Sequence, residues 1–153
     1  MKEVEVNKSI KLSPHFTLGE MTKTSYHPLD GNIPSRVHIE NLRRLCGWLE
    51  MLRSEWNKHY GEGDDPIIIN SGFRSPDTNQ LCGGAKNSNH LTGCAVDIHC
   101  AGKEQAIRYA CILLDIADGK KMDFDELILE KRGTTIWVHF AVRPRGNRRY
   151  VHF

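Results

Sequence analysis

Three polar side chains stand where the surrounding sequence is apolar, and their types are those that bind metal ions. His90 ends a loop rich in Gly and Asn, and Asp97 follows seven residues later within the apolar run 95–98. His139 lies in a second apolar run, residues 136–140. A carboxylate in such a run must be paired or bound to a metal. Two histidines and one carboxylate are a known catalytic zinc set, which leaves a fourth position for a water molecule.

The residue pattern alone leaves alternatives open. A hydrogen-bonded pair of His90 and Asp97 without a metal explains the spacing of these two residues equally well. A lone strand histidine such as His139 is more often a core residue than a ligand. His99 lies two residues after Asp97, on the same face of the strand. It competes with Asp97 as a ligand, or orients Asp97 from outside the coordination sphere.

The elements that must position these residues are readable from hydrophobic periodicity. Apolar residues at helical spacing predict a long helix over residues 36–60 and a second one over residues 103–117. Residues 71–92 are expected to be mostly loop, and residues 132–134 to form a hairpin tip. Short strands are predicted over residues 66–70, 95–100, 126–130 and 136–142. The pattern indicates an α+β domain, a mostly antiparallel sheet flanked by helices.

Composition limits the classes of function. The 153 residues carry a net charge of +2, so the chain lacks the global basic field of a nucleic-acid-binding protein. No apolar stretch approaches the length of about 20 residues that crosses a bilayer. We expect one domain over residues 1–153, with its motif-bearing core at about 32–142, and a monomer. The first residues lack the apolar region of a signal peptide. The expected location is therefore cytoplasmic until release, or export by a signal outside this sequence.

Several arginines cluster near the C-terminus. They are Arg143, Arg145, Arg148 and Arg149. The cluster indicates a solvated tail, and a contact with a polyanion is the alternative.

Three motifs of this chain resemble those of zinc D-Ala-D-Ala carboxypeptidases of the VanY and VanX type, and they follow one another along the chain in the same order as in that family. Residues 88–97 match the signature S-x-H-x-x-G-x-A-x-D, residues 137–139 resemble the second histidine motif, and residues 71–75 resemble the segment S-G-Y-R-S. The resemblance extends from about residue 32 to residue 140. It implies the fold that this family shares with the Hedgehog signalling domain.

The resemblance also implies roles for individual residues. The zinc ligands that it implies are His90, Asp97 and His139. His99 then lies outside the coordination sphere or is structural. Arg74 would bind the terminal carboxylate of the substrate or polarise the scissile carbonyl, because a guanidinium matches a carboxylate with two hydrogen bonds. Ser88 and Gln80 would contact the substrate or brace the ligands.

The catalytic base is where this sequence departs from the family pattern. Family members place a carboxylate shortly before the last histidine, but residues 133–136 contain none. Glu130 is the nearest upstream acid and is the predicted base, with Glu126 as the alternative. The implied activity is hydrolysis of peptidoglycan stem peptides with Zn²⁺, by a carboxypeptidase or an endopeptidase. Because the first residues lack a signal peptide, the expected source is a phage-type lysis or tail enzyme. The alternative is an inactive zinc-binding structural or binding module of the same fold.

Overall fold

The computed structural model describes residues 7–153. This part of the chain contains seven short strands and four α-helices, joined by loops. The strands are β1 (Lys11–Ser13), β2 (Phe16–Thr17), β3 (Ile69–Ser71), β4 (Ala95–His99), β5 (Glu126–Arg132), β6 (Thr135–Ala141) and β7 (Tyr150–His152). The helices are α1 (Leu18–Thr22), α2 (Arg36–His59), α3 (Pro76–Leu81) and α4 (Lys103–Lys120), with a 3₁₀ helix at Asn89–Thr92. The predicted α+β class is confirmed.

The larger sheet has the strand order β3-β4-β6-β5-β7, and only the pair β5 and β7 runs parallel. Asp97 on β4 lies directly opposite His139 on β6, which in turn lies opposite Ile128 on β5. Side chains alternate between the two faces of a strand. Glu126 and Glu130 therefore share one face of the sheet with these three residues.

The opposite face of the same strands forms the hydrophobic core. Helices α2 and α4 pack on this face. Trp48 of α2 meets Phe140 of β6 edge to face, with ring centroids 5.2 Å apart. The strand residues buried there are Val96, Ile98, Leu127, Val138 and Phe140. The sheet thus separates its packing face from the face that carries the polar residues.

Helix α2 confirms the predicted long helix almost to the residue. Ser35 begins it as an N-cap, since its Oγ accepts a hydrogen bond of 3.3 Å from the backbone N–H of His38. Its buried stripe includes Leu42, Leu45 and Leu49, which recur at helical spacing. None of the helices within residues 7–153 combines the length and the apolar character needed to cross a membrane.

The first predicted strand is shifted. The sequence predicts residues 66–70, whereas β3 spans Ile69–Ser71. Its partner β4 ends at His99, whose backbone N–H donates to the carbonyl of Ile68, so residues before 68 have no strand to pair with. The predicted loop 71–92 also contains two short helices, α3 and the 3₁₀ helix, each started by a serine N-cap.

The predicted hairpin between β5 and β6 is confirmed. Gly133 at its tip has φ +62°, a conformation that glycine adopts without the steric cost of a Cβ. The two strands pair from Glu126 with Ala141 to Arg132 with Thr135.

The C-terminal segment is solvated, as predicted, because most of residues 143–153 are exposed, but it is also anchored to the folded domain. Arg148 donates two hydrogen bonds to Asp125, from Nε at 3.0 Å and Nη2 at 2.8 Å. Strand β7 then pairs with β5. The physical reason is that Asp125 is fully buried and needs a cationic partner.

Candidate metal centre

His90, Asp97 and His139 direct their potential ligand atoms into one small space. Asp97 Oδ1 lies 3.3 Å from His90 Nε2 and 3.1 Å from His139 Nδ1. The three donor groups all lie within 4.8 Å of one another, and all three residues are buried. Zinc holds nitrogen and oxygen ligands at about 2.0–2.2 Å in a tetrahedron, which places neighbouring ligand atoms about 3.4 Å apart. The two separations that involve Asp97 Oδ1 are close to this value, so the donor set is compatible with a zinc ion.

A backbone carbonyl fixes the ring of His90. Its Nδ1 lies 2.7 Å from the carbonyl oxygen of Gly72, so Nδ1 donates and Nε2 keeps its lone pair. Gly72 packs tightly against Met21, and a Cβ at position 72 would overlap the Met21 backbone carbonyl. Ser88 Oγ accepts a hydrogen bond of 3.2 Å from the backbone N–H of His90. The position of His90 thus depends on the glycine at 72 and the cap at 88.

A carboxylate holds the ring of His139 from its outer side. His139 Nε2 lies 3.1 Å from Glu126 Oε1, which also accepts a hydrogen bond of 2.6 Å from Asn89 Nδ2. Zinc-ligating histidines commonly donate their other ring N–H to a carboxylate in this way, which sets the tautomer and the orientation of the ring. Glu126 therefore occupies an orienting position.

The hydrogen bonds of the cluster favour a cation at its centre. Nδ1 of His90 faces the carbonyl oxygen of Gly72 and must donate, so the neutral ring presents the lone pair of Nε2 to Asp97 Oδ1. Both ring nitrogens of His139 face carboxylate oxygens, so a neutral His139 also leaves one lone pair facing an oxygen. Such lone pairs repel the carboxylate oxygen unless a proton or a metal ion lies between them. Burial lowers the pKa of His139, but its hydrogen bonds to Asp97 and Glu126 outweigh burial and raise that pKa to about 9.

The same hydrogen bonds lower the pKa of the Asp97 carboxyl group. Burial raises its pKa, but the hydrogen bonds with His139 and His90 prevail and hold the pKa well below its usual range. Asp97 is thus ionised, and the donor set suits a divalent cation.

Arg74 binds the other oxygen of Asp97. Its Nη2 lies 3.1 Å from Asp97 Oδ2, and its Nε donates to Ser71 Oγ at 3.0 Å. These contacts leave Asp97 Oδ1 for the two histidines. Within residues 7–153, Nη1 of Arg74 has no hydrogen-bond partner, although Arg74 lines the cavity in front of the donor atoms.

That cavity, the metal cleft, has a volume of about 590 Å³. Glu130 and Trp137 line it and are partners in the β5–β6 register, which places Glu130 diagonally across from His139, within reach of a long side chain. No residue of the described chain pairs with the Glu130 carboxylate. Both oxygens of Glu126, by contrast, have partners, since Oε2 lies 3.4 Å from Arg148.

A buried carboxylate that sequence reasoning missed lies beside the metal centre. Asp125 accepts hydrogen bonds from Arg148 and, at 2.8 Å, from Asn89 Nδ2. Burial raises its pKa, but the bonds from Arg148 and Asn89 outweigh burial and lower it to about 2. Asn89 thereby joins Asp125 to Glu126. An acid next to Phe124 at the start of an apolar strand was the available signal.

The remaining predicted site residues divide into two groups. Ser88 lines the metal cleft beside His90. Gln80 is exposed on α3 and is not among the residues that line the cleft, so the structure does not bring it to the site. His99 is exposed at the end of β4, opposite Trp137, and stands outside the group of donors formed by the described residues.

Comparison with known proteins gives two matches. A family model described as Peptidase M15 matches residues 14–129, a range that includes His90 and Asp97 and ends before Glu130 and His139. The zinc D-Ala-D-Ala carboxypeptidase of Streptomyces albus G is 53% identical over 84 residues. These residues are 55% of this chain and 31% of that protein, so the match spans less than a third of the length of the relative.

Proposed function

This chain belongs to the peptidase M15 family, and from that membership we propose that it is a zinc-dependent peptidase that hydrolyses peptidoglycan stem peptides. The observation that carries the proposal is the buried arrangement of His90, Asp97 and His139, whose donor atoms converge beside an open cleft. The related carboxypeptidase of Streptomyces albus G supports zinc as the metal and a D-alanyl peptide as the substrate class.

The proposed zinc ligands are His90 Nε2, Asp97 Oδ1 and His139 Nδ1. Bound zinc supplies a Lewis acid, which lowers the pKa of a coordinated water to about 7 and polarises a carbonyl group. The surrounding residues orient the ligands: Gly72 O and Glu126 hold the two imidazole rings, and Arg74 holds Asp97 Oδ2.

Glu130 is the proposed general base. Its carboxylate faces the metal cleft without a partner in the described chain, whereas that of Glu126 is occupied by His139, Asn89 and Arg148. A general base must be free to accept a proton from the attacking water and to pass it on to the leaving amine. The unoccupied carboxylate of Glu130 meets this requirement.

Arg74 is the proposed group that binds the substrate beside the metal. Its Nε and Nη2 are fixed by Ser71 and Asp97, and its Nη1 remains available. A guanidinium held in this way can donate to the carbonyl oxygen of the scissile bond, where negative charge develops, or to a terminal carboxylate. Both roles place Arg74 in contact with the substrate.

Mass spectrometry of muropeptides incubated with zinc-loaded protein tests the proposal. Loss of one terminal D-Ala residue would identify a carboxypeptidase, and two peptide fragments would identify an endopeptidase. Glu130→Gln is the matched control, and its zinc content is measured in the same samples.

The outcomes test the peptidase activity and the role of Glu130 separately. Intact muropeptides in the presence of stoichiometrically zinc-loaded wild-type protein would contradict the peptidase and favour an inactive zinc-binding module. Equal cleavage by the wild type and by Glu130→Gln would retain the peptidase and remove Glu130 from its mechanism.

A further inference from the structure

A second cavity adjoins the metal cleft. It has a volume of about 520 Å³. Ser88, Asn89 and Arg143 line both cavities. The common boundary is therefore formed by the loop that carries His90 and by the segment that follows β6. The two cavities therefore lie side by side, on the same side of the molecule as the donor atoms of His90.

The charged side chains that line the second cavity are all positive. Lys86, Arg143 and Arg145 line it, and no carboxylate among residues 7–153 does. Lys86 and Arg145 are exposed and form no ion pair with residues 7–153. Arg44 adds a further cation at the edge, since its Nη1 donates at 2.9 Å to Asn41, another lining residue. A concave surface lined by one sign of charge concentrates ligands of the opposite sign.

Arg143 is held in a position to bind such a ligand. Its Nε donates to Asn89 Oδ1 at 2.9 Å and lies 3.2 Å from Asp125 Oδ2. Its two terminal nitrogens have no hydrogen-bond partner within the described part of the chain. A guanidinium that is fixed at Nε and free at its end presents two parallel donors, which match the two oxygens of a carboxylate.

We propose that Arg143, with Lys86 and Arg145, forms a subsite that binds a free carboxylate of the substrate peptide, on a residue outside the scissile pair. This inference rests on the proposed function. The cavity shares lining residues with the metal cleft, so the occupant that we propose for it is the continuation of the peptide that is cut. Peptides in which that carboxylate is replaced by a carboxamide bind less well, because a neutral amide cannot accept two charge-assisted hydrogen bonds.

Paired synthetic stem peptides test the subsite. One peptide carries a free carboxylate on an acidic residue outside the scissile pair, and the other carries a carboxamide at the same place. The wild type is expected to cleave the carboxylate peptide with a KM about tenfold lower and a similar kcat, the size of effect of a charge-assisted hydrogen bond. Arg143→Ala is expected to reduce this preference to less than about twofold.

Further variants separate binding from structural damage, because Arg143 also contacts Asn89 and Asp125. The double variant Lys86→Ala/Arg145→Ala leaves those contacts intact and is expected to reduce the preference about threefold. Arg149→Ala is the matched control, since it removes the same charge from the same segment but pairs with Asp118. The control is expected to retain the full preference.

The results have distinct meanings for the subsite and for the peptidase. Equal KM values of the wild type for the two peptides would overturn the subsite and leave the peptidase intact. An equal loss on both peptides in Arg143→Ala would also overturn it. If neither peptide is cleaved, the peptidase proposal fails, and calorimetric titration of zinc-loaded protein decides the subsite. A tenfold tighter Kd for the carboxylate peptide supports it, and equal Kd values, or no binding, overturn it.

Discussion

His139 has a carboxylate on each ring nitrogen, and the two carboxylates differ in what else they contact. Asp97 Oδ1 also approaches His90, whereas Glu126 turns away from the donor atoms toward Asn89 and Arg148. This arrangement supports the proposal that Asp97 binds the metal and that Glu126 orients the ring. Glu126 and Glu130 lie four residues apart on one strand face. Substitution of Glu126 is therefore expected to weaken zinc binding, whereas substitution of Glu130 is expected to lower kcat.

We predict that Glu126→Ala weakens zinc binding by about 10–100-fold, because His139 loses the acceptor that fixes its tautomer. Zinc affinity is measured by competition with a chromogenic chelator. Glu130→Ala removes the same side chain from the same strand face and serves as the control. A zinc Kd that changes equally in both variants would contradict the orienting role of Glu126.

We predict that Glu130→Gln lowers kcat on a cleavable muropeptide by about 10²–10⁴-fold, because an amide cannot accept the proton of the attacking water. Zinc stoichiometry and KM should stay close to the wild-type values. A decrease in kcat of less than tenfold would instead direct attention to Glu126.

Sequence patterns identified the residues of the site better than their contacts. Polar groups in apolar runs need partners, and this marked His90, Asp97 and His139 as candidates. The residue pattern left His99 and a metal-free pair open, and the family resemblance supplied the ligand set. That Arg74 binds Asp97, and that Asn89 bridges Asp125 and Glu126, depends on side-chain directions across separate loops. Neither periodicity nor spacing encodes those directions.

At the scale of elements, the turn between β3 and α3 serves the metal centre through its backbone. The carbonyl of Gly72 binds His90, and its Cα has no room for a side chain beside Met21. We predict that Gly72→Ala lowers stability and weakens zinc binding together, because the displaced carbonyl no longer holds the ring. Thermal unfolding of zinc-free protein and chelator competition measure the two effects, with Gly119→Ala in the open surface of α4 as the control.

The contact between β5 and the C-terminal segment makes stability depend on pH. Because the folded-state pKa of Asp125 is lowered to about 2 from 3.8, its contribution is present above about pH 4 and is lost as pH falls toward 2. We predict that Asp125→Asn costs about 2 kcal/mol of unfolding free energy at pH 6. The difference from the wild type should shrink on acidification, as measured by urea unfolding of the zinc-free proteins. A difference that stays constant down to pH 2 would contradict this assignment.

For the whole molecule, the proposed zinc ligands come from parts of the chain that are distant in sequence. His90 belongs to a loop, Asp97 to β4 and His139 to β6. A zinc concentration of about 100 times Kd should add about 2.7 kcal/mol to the unfolding free energy. For a domain of this size, chelation should therefore lower Tm by about 5–10 °C. Differential scanning calorimetry with and without chelator measures the shift, and an unchanged Tm would contradict a zinc site at these residues.

The global architecture followed from the sequence where long periodic segments were present. Helix α2, helix α4 and the β5–β6 hairpin were predicted within a few residues, since each has a continuous apolar pattern. Strand β7 and the ion pairs of Arg148 were not, because they depend on pairing with β5, about 20 residues away. Short elements fixed by distant partners carry little local signal.

The division of the sheet into two faces has a consequence for how this protein can change. Strands β4, β5 and β6 give one set of alternate residues to the core and the other set to the cleft. Replacing a cleft residue such as Ile128 or Trp137 leaves the interlocking of strand and helix side chains on the far side undisturbed. For the proposed peptidase, single substitutions in the cleft are thus expected to alter the substrate preference while the folded scaffold is preserved.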